Sequence, residues 1–214
     1  MYTSRRAFSL IELLSVIAVI ALLAGIIIPV IGRVRQHSHS VECSNNLRQV
    51  AMAIHLYGQE NNGALPGPLL GGQIADYKMG TGQISGFIRE YGDFEVTNET
   101  SPKIKALICP GSDELIEGDS PRYYSTRQTY VQTLSNDRAI PFGRPNGDPS
   151  KTVQAVRIMN ILKPQSEWMM RDLDAIGAAS YVGNDNACQQ IAHGDFRNVS
   201  FFDGHVEAVP VDER

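Results

Sequence analysis

The first part of the chain carries an almost uninterrupted run of apolar side chains. From Leu13 to Ile31 the only polar side chain is Ser15, and Glu12 stands immediately before this run. A helix over residues 8–31 rises 1.5 Å per residue and is long enough to cross a hydrocarbon core of about 30 Å. The pattern therefore predicts a helix that is apolar on all sides and spans a membrane.

Beyond residue 31 the apolar positions narrow to one stripe. They recur at spacings of four, three, four and three residues: Cys43, Leu47, Val50, Ile54 and Tyr57. Such spacing is typical of one face of an amphipathic helix. Pro29 can bend the helix, and the turn residues 61–63 end it. We therefore expect one long helix, whose amphipathic half (residues 32–62) carries a globular head (residues 63–214).

Short apolar segments alternate with loops in the head. Residues 63–86 are rich in Gly and Pro, which predicts loop, with a short helix around residues 86–91. Residues 152–158 alternate apolar and polar side chains, which predicts a strand. Residues 168–172 are apolar enough to form a short buried strand.

The clearest local pattern in the head is a β-hairpin over residues 199–209. Two β-prone runs flank Asp203-Gly204, a dipeptide that suits a two-residue type I′ turn with positive φ at both positions. This turn places Ser200 opposite Glu207. The apolar face of the hairpin would then consist of Val199, Phe201, Val206 and Ala208.

The N-terminus resembles a known signal. Residues 5–14 read Arg-Arg-Ala-Phe-Ser-Leu-Ile-Glu-Leu-Leu and resemble the leader of type IV pilins and type II secretion pseudopilins. The resemblance implies that a prepilin peptidase removes residues 1–7 by cutting between Ala7 and Phe8, and then methylates the new amine. It also implies that the Phe8 amine pairs with Glu12 of a neighbouring subunit during assembly. Ala7 departs from the family, in which Gly is usual at this position. The alternatives to a prepilin-type leader are an uncleaved signal anchor and an ordinary secretory signal.

The C-terminus carries a second resemblance. His193, nine further residues and then Asp203-Gly204 are similar to the signature of prepilin-type proteins with a C-terminal H-X9-DG domain. Segments 43–49 and 108–110 resemble the same group. The resemblance implies a pilin-like α+β fold, in which the C-terminal half of a long N-terminal helix packs on a small antiparallel β-sheet.

Charge and the leader together indicate location. The chain has 19 Lys and Arg against 23 Asp and Glu, with no basic run, so we expect no nucleic-acid partner. The resemblance implies a bacterial inner-membrane protein that spans the membrane once. Its N-terminus would be cytoplasmic and its head periplasmic, reaching a filament or the cell surface after assembly.

Three cysteines bear on the stability of the head. None belongs to a C-x-x-C motif, and an oxidising compartment favours one disulfide plus one free thiol. Cys43 lies on the apolar stripe and Cys109 in a short apolar run, so we expect a bridge between them. Cys188 could replace either partner, and three separate buried thiols remain the other alternative.

Candidate metal ligands gather near the C-terminus. Four side chains there could chelate zinc or calcium: His193, Asp195, Asp203 and His205. A structural role in shaping the hairpin is the simpler interpretation, so we expect no metal and no cofactor. Calcium stays an alternative, because some pseudopilins hold it in a C-terminal loop.

The interpretation that these features favour is a structural subunit of a type IV pilus-like or type II secretion pseudopilus filament. Its partners would be the prepilin peptidase, copies of itself or homologous pseudopilins, the inner membrane, and an assembly platform with its ATPase. The sequence has no G-x-S-x-G nucleophile motif, so we expect no enzyme. The alternatives are an envelope-facing binding or adhesion protein that is anchored through a pilin-type leader, and a tethered metalloenzyme.

Overall fold

A computed structural model of the chain describes residues 10–77, 82–97 and 100–211. Its first element is the long helix α1, Leu10–Glu60, which continues without interruption through Pro29. The helix ends at the predicted turn, where Asn62 and Gly63 adopt positive φ and the Gly63 amide donates to the Gly58 carbonyl at 2.7 Å. The predicted start, Phe8, lies outside the described residues.

The chain divides into two compact units between Ser38 and His39. In the first unit, α1 exposes its apolar side chains. The second unit contains the rest of α1 and the folded head, and it holds the hydrophobic core.

The head is built on a five-stranded antiparallel sheet in the order β1-β2-β5-β6-β7. Its strands are β1 (Gly72–Ile74), β2 (Arg122–Thr126), β5 (Trp168–Asp172), β6 (Phe196–Phe201) and β7 (Val206–Pro210). A separate two-stranded ribbon consists of β3 (Val131–Gln132) and β4 (Arg138–Ala139). The predicted fold class, an α+β chain with a long N-terminal helix and a small antiparallel sheet, is confirmed.

The apolar stripe of α1 supplies one side of the core. Cys43, Leu47, Val50 and Ile54 are fully buried, and Tyr57 packs edge-on against the rings of two partners, Phe87 and Tyr91. Phe87 belongs to the short helix α2, Ser85–Ile88. A 3-10 turn (Lys105–Leu107) and helix α3 (Pro110–Asp113) flank Cys109.

The hairpin of β6 and β7 forms, but in a register one residue away from the predicted one. Ser200 pairs with Val206 instead of Glu207. A one-residue change of register moves every side chain to the other face. The predicted apolar face is therefore wrong: Val199 shares its face with Glu207, and Ala208 is exposed.

The different register follows from the length of the turn. Phe202, Asp203 and Gly204 form a three-residue loop, in which Gly204 has φ of 93° and Asp203 does not have positive φ. The Gly204 amide donates to the Phe201 carbonyl at 2.9 Å, as in hairpin loops that end in a glycine bulge. The longer loop lets Phe202 leave the strand and become fully buried against Phe142.

Two other local predictions were wrong, and one was right. Residues 152–158 form no strand, because their bridges go to two different segments, Val153 to Arg144 and Arg157 to Ala64. The predicted loop 63–86 contains β1. The predicted buried strand at residues 168–172 is β5.

Candidate functional site

The N-terminal assembly residues fall at the edge of the described structure. Ala7 and Phe8 lie outside the described residues. Glu12 lies in the first described turn of α1 and its side chain is exposed. Ser15 Oγ donates to the Glu12 carbonyl at 2.9 Å. The hydroxyl of Ser15 therefore has its hydrogen bond within the helix.

The surface around Glu12 is apolar. Every Leu, Ile and Val from Leu10 to Ile31 is at least 50% exposed. Within the described residues, α1 is the one helix that is long and apolar enough to cross a membrane by length and composition. Exposing such a surface to water is unfavourable, whereas lipid or other apolar helices can cover it.

A disulfide fastens α1 to the loop that precedes α3. Cys43 and Cys109 are bonded, with their Cα atoms 5.0 Å apart. The Asn46 side chain, one turn along α1, donates to the Ile108 carbonyl at 2.8 Å. Cys188 is a free, buried thiol that donates to the Gln190 carbonyl at 2.9 Å. The pair that the sequence favoured is the one that the structure joins.

His193 lies beside this disulfide. Its Nε2 is 3.3 Å from Cys109 Sγ and 3.4 Å from Asp172 Oδ2. The ring stacks on Phe196 and packs against Gly111, where a Cβ would come within 2.7 Å of the ring. The His193 side chain is only 1% exposed, so the first residue of the C-terminal signature is a core residue.

Asp172 ends β5 and is the other titratable member of this buried cluster. Burial raises the pKa of Asp172 to about 7, and the hydrogen bonds from Asn198 oppose that change. The Asn198 amide donates to Asp172 Oδ2 at 2.7 Å and its side chain donates at 3.1 Å. Burial, with a smaller contribution from nearby His39, lowers the pKa of His193 to about 4. Both changes favour uncharged side chains.

Asp203 of the C-terminal signature is at the surface, in the β6–β7 turn, and so is the neighbouring His205. His205 Nδ1 is 2.6 Å from Asp203 Oδ1, and the His205 ring stacks on Phe201. Burial raises the pKa of the Asp203 carboxyl, but the contacts from His205 outweigh it and the net change is downward. Asp195 accepts through its backbone carbonyl from the Val211 amide at 2.8 Å.

The four candidate metal ligands near the C-terminus therefore do not gather into one site. His193 is buried beside Cys109, whereas Asp203 and His205 form an exposed pair. Among the described residues, the group of three potential metal ligands that the fold does assemble is Cys43, Cys109 and His193. The contact of His193 with Asp172 and the disulfide had no signal in the sequence, because the spacings along the chain are too long to suggest it.

The comparisons with known proteins concern the N-terminal segment. Residues 2–28 match the family model of the prokaryotic N-terminal methylation motif. The chain thus carries a prepilin-type signal. No curated protein and no solved structure gives a significant match.

The match agrees with the residues already described. It covers the leader, Glu12 and most of the exposed apolar surface of α1. A prepilin-type signal in front of such a helix supports a precursor that a prepilin peptidase processes and that the helix anchors in a membrane.

Proposed function

We propose that this chain is a structural subunit of a type IV pilus-like or type II secretion pseudopilus filament. The prepilin peptidase cuts before Phe8, and the mature subunit waits in the inner membrane with its head in the periplasm. Assembly then moves its apolar helix from lipid into a bundle of like helices. The observation that carries the proposal is Glu12, an acidic side chain within the matched methylation motif and the exposed apolar part of α1.

The apolar surface supports both stages of this life cycle. The Leu, Ile and Val side chains between Leu10 and Ile31 present their apolar atoms outwards, which suits lipid tails in the monomer. The same side chains suit close packing between helices in the filament. They need no hydrogen bonds, so they are equally compatible with lipid tails and with the apolar side chains of neighbouring helices.

Glu12 distinguishes a filament subunit from a simple anchor. A carboxylate costs about 2.5–3.5 kcal/mol at the centre of a membrane helix by insertion scales and less near its end. A membrane anchor gains nothing from it. In a staggered bundle, the amine that cleavage creates at Phe8 of one subunit can approach Glu12 of another. Opposite charges attract far more strongly in a low dielectric than in water. The contact therefore offsets the free-energy cost of burying the carboxylate, and it fixes the axial register between neighbouring helices.

The disulfide supports a periplasmic head. Disulfides persist in oxidising compartments and are rare in the cytosol of mesophiles. Cys43 and Cys109 lie in the second unit of the chain, so the unit that holds the bridge belongs on the oxidising side. The assembly platform and its ATPase would act from the other side, through the membrane part of α1.

The proposed role is mechanical and includes no catalysis. His193, the histidine of the C-terminal signature, is enclosed by Cys109, Asp172 and Phe196, so a substrate cannot reach it without local unfolding.

Expression with an active or an inactive prepilin peptidase tests the proposal. With the active enzyme, we expect intact mass and N-terminal sequencing to give a chain that starts at N-methylated Phe8. Mechanical shearing should then release this chain in fibres that electron microscopy can see. With the inactive enzyme, the chain should start at Met1 and stay in the membrane. A processed chain that stays entirely in the membrane in a host with a working assembly platform would favour an anchored binding or adhesion protein instead.

A further inference from the structure

We propose that the head forms a zinc site when the Cys43–Cys109 disulfide is reduced, with both thiolates, His193 and Asp172 as its four ligands. The inference concerns the second unit of the chain alone and does not depend on the filament role.

Three of the four ligands already lie close enough together for zinc, and the fourth contacts one of them. The sulfurs of Cys43 and Cys109 and a nitrogen of His193 all lie within 4.8 Å of one another. His193 Nε2 is 3.3 Å from Cys109 Sγ and 3.4 Å from Asp172 Oδ2. With zinc–ligand bonds of about 2.0–2.3 Å, the edges of a tetrahedral site are roughly 3.3–3.8 Å. One nitrogen therefore already stands at a ligand–ligand distance from both a sulfur and a carboxylate oxygen. Asp172 lies outside the group of three whose atoms are all within 4.8 Å of one another, so its carboxylate must turn towards the sulfurs to become the fourth ligand.

The donor types also select zinc. Two thiolates and an imidazole favour zinc over calcium or magnesium, which prefer oxygen ligands throughout. All four residues are buried, so no position is left open for a substrate. A closed site of this kind is structural.

One buried atom points to a ligand in addition to the geometry. Among the described residues, Asp172 Oδ1 has no hydrogen-bond partner. Buried polar atoms of this kind are rare in folded proteins. The neutral disulfide offers no charge to the Asp172 carboxyl, whereas a divalent cation would stabilise its ionised form.

The four ligands come from four separate parts of the second unit. Cys43 is on α1, Cys109 precedes α3, Asp172 ends β5, and His193 lies in the loop before β6. A zinc ion at this point would fasten α1 to the loop before α3, as the disulfide does in the oxidised chain, and through Asp172 it would also fasten α1 to the sheet. The head would thus keep its connection to α1 in either redox state.

The chemistry needs a reductant and releases protons. A dithiol gives two electrons and two protons to the Cys43–Cys109 bond and becomes a disulfide itself. Zinc then displaces the proton of each thiol, so about two protons enter solution for each ion bound.

Full-length chain in detergent micelles, either oxidised or reduced with dithiothreitol, provides the test. After zinc loading and removal of excess metal and reductant, we expect about one zinc per reduced chain and less than a tenth of that in the oxidised chain. With cobalt in place of zinc, the reduced chain should show thiolate-to-metal charge transfer and the ligand-field bands of a tetrahedral ion. No retained metal in the reduced chain, or equal retention in both states, would overturn the proposal.

Matched variants identify the ligands. We expect His193→Ala and Asp172→Asn to weaken zinc binding by at least tenfold in competition with a chelator. The controls His205→Ala and Cys188→Ser remove an exposed imidazole and the third thiol, and they should bind as the unaltered chain does. A loss with either control would assign the metal to other ligands and overturn the site. If a ligand variant does not fold, the cobalt spectrum of the unaltered reduced chain decides the matter, since an octahedral spectrum without thiolate bands contradicts the proposed ligand set.

Discussion

Gly204, at the end of the β6–β7 turn, lies against the ring of His55 on α1. A Cβ placed on Gly204 would stand 3.4 Å from His55 Nε2 and 3.6 Å from His55 Cδ2. The neighbouring Asp203 carboxylate acts electrostatically on the same histidine. The C-terminal signature therefore helps to fasten the hairpin to the amphipathic half of the long helix.

Replacing Gly204 with valine should destabilise the head. Gly204 has φ of 93°, which costs an L-residue about 1–2 kcal/mol and a β-branched residue more, and the new side chain would also press on His55. We expect Gly204→Val to lower the free energy of unfolding by more than about 1 kcal/mol in chemical denaturation.

Two control variants separate backbone strain from bulk. Gly204→Asn should cost less than Gly204→Val, because Asn tolerates positive φ better than other residues with a Cβ. Gly147→Val should be nearly neutral, since a Cβ there meets nothing within 4 Å and Gly147 lacks positive φ. Equal losses for all three variants would contradict a specific role of the turn.

His55 should make stability depend on pH. Burial lowers the pKa of His55 from 6.5, although the charge of Asp203 opposes the change. As pH falls through about 6.5, the unfolded chain takes up a proton at His55 before the folded chain does, so the free energy of unfolding decreases. We expect unaltered protein to lose more stability than His55→Gln between about pH 8 and about pH 5. Parallel pH profiles for the two proteins would rule out this contribution.

Removing the disulfide should weaken the head more than removing the free thiol. Cys43 and Cys109 are separated by 66 positions, and the chain-entropy model assigns a loop of this size about 4 kcal/mol. We expect the double variant Cys43→Ser/Cys109→Ser to lose about 2–4 kcal/mol in denaturation without zinc. Cys188→Ser should lose much less, because a hydroxyl can keep the hydrogen bond to the Gln190 carbonyl. A double variant as stable as the oxidised protein would refute the stabilising role.

A buried ion pair should be costly to break on one side only. The Arg197 guanidinium contacts both carboxylate oxygens of Asp174, and the Asp174 side chain is 3% exposed. Arg197→Ala leaves that carboxylate buried without its cation, so we expect a loss of about 3–5 kcal/mol. Arg197→Met/Asp174→Leu should lose less than Arg197→Ala.

The exposed pair of Lys105 and Glu95 provides the control for that experiment. Both side chains are at least half exposed, and such pairs contribute about 0–1 kcal/mol. Lys105→Ala should therefore be nearly neutral. If Arg197→Ala costs no more than Lys105→Ala, the buried pair does not stabilise the head.

Strong periodicity made the helix predictable from the sequence. Cys43, Leu47, Val50 and Ile54 follow the helical repeat and are buried as predicted. β1 was missed because Gly72–Ile74 is short and starts at the second of two glycines. Its pairing with β2 depends on contacts about 50 positions away. Local pattern does not contain that information.

The hairpin and the buried cluster around His193 show a second limit of prediction from the sequence. Asp203-Gly204 correctly predicted a turn, but the length of the turn was decided by burial of Phe202 in the core. The meeting of His193, Asp172 and Cys109 joins three distant segments. Neither a long-range contact nor a competing buried ring can be deduced from spacing along a chain.

Glu12 is the residue on which the proposed function depends, and its variants test the function most directly. Glu12→Val should insert in the membrane and be cleaved before Phe8 like the unaltered chain, because it makes the helix more apolar. Glu12→Asp keeps the charge on a side chain that is shorter by one methylene. Ser15→Ala is the matched control, since Ser15 is the other polar residue of this segment and bonds only within the described helix.

The deciding measurement is the yield of sheared filaments relative to the membrane-bound pool, with each variant expressed as the sole subunit. We predict that Glu12→Val is almost absent from filaments, that Glu12→Asp gives an intermediate yield, and that Ser15→Ala assembles normally. Filaments of Glu12→Val at the yield of the unaltered chain would contradict the assembly role of Glu12 and favour an anchored binding protein.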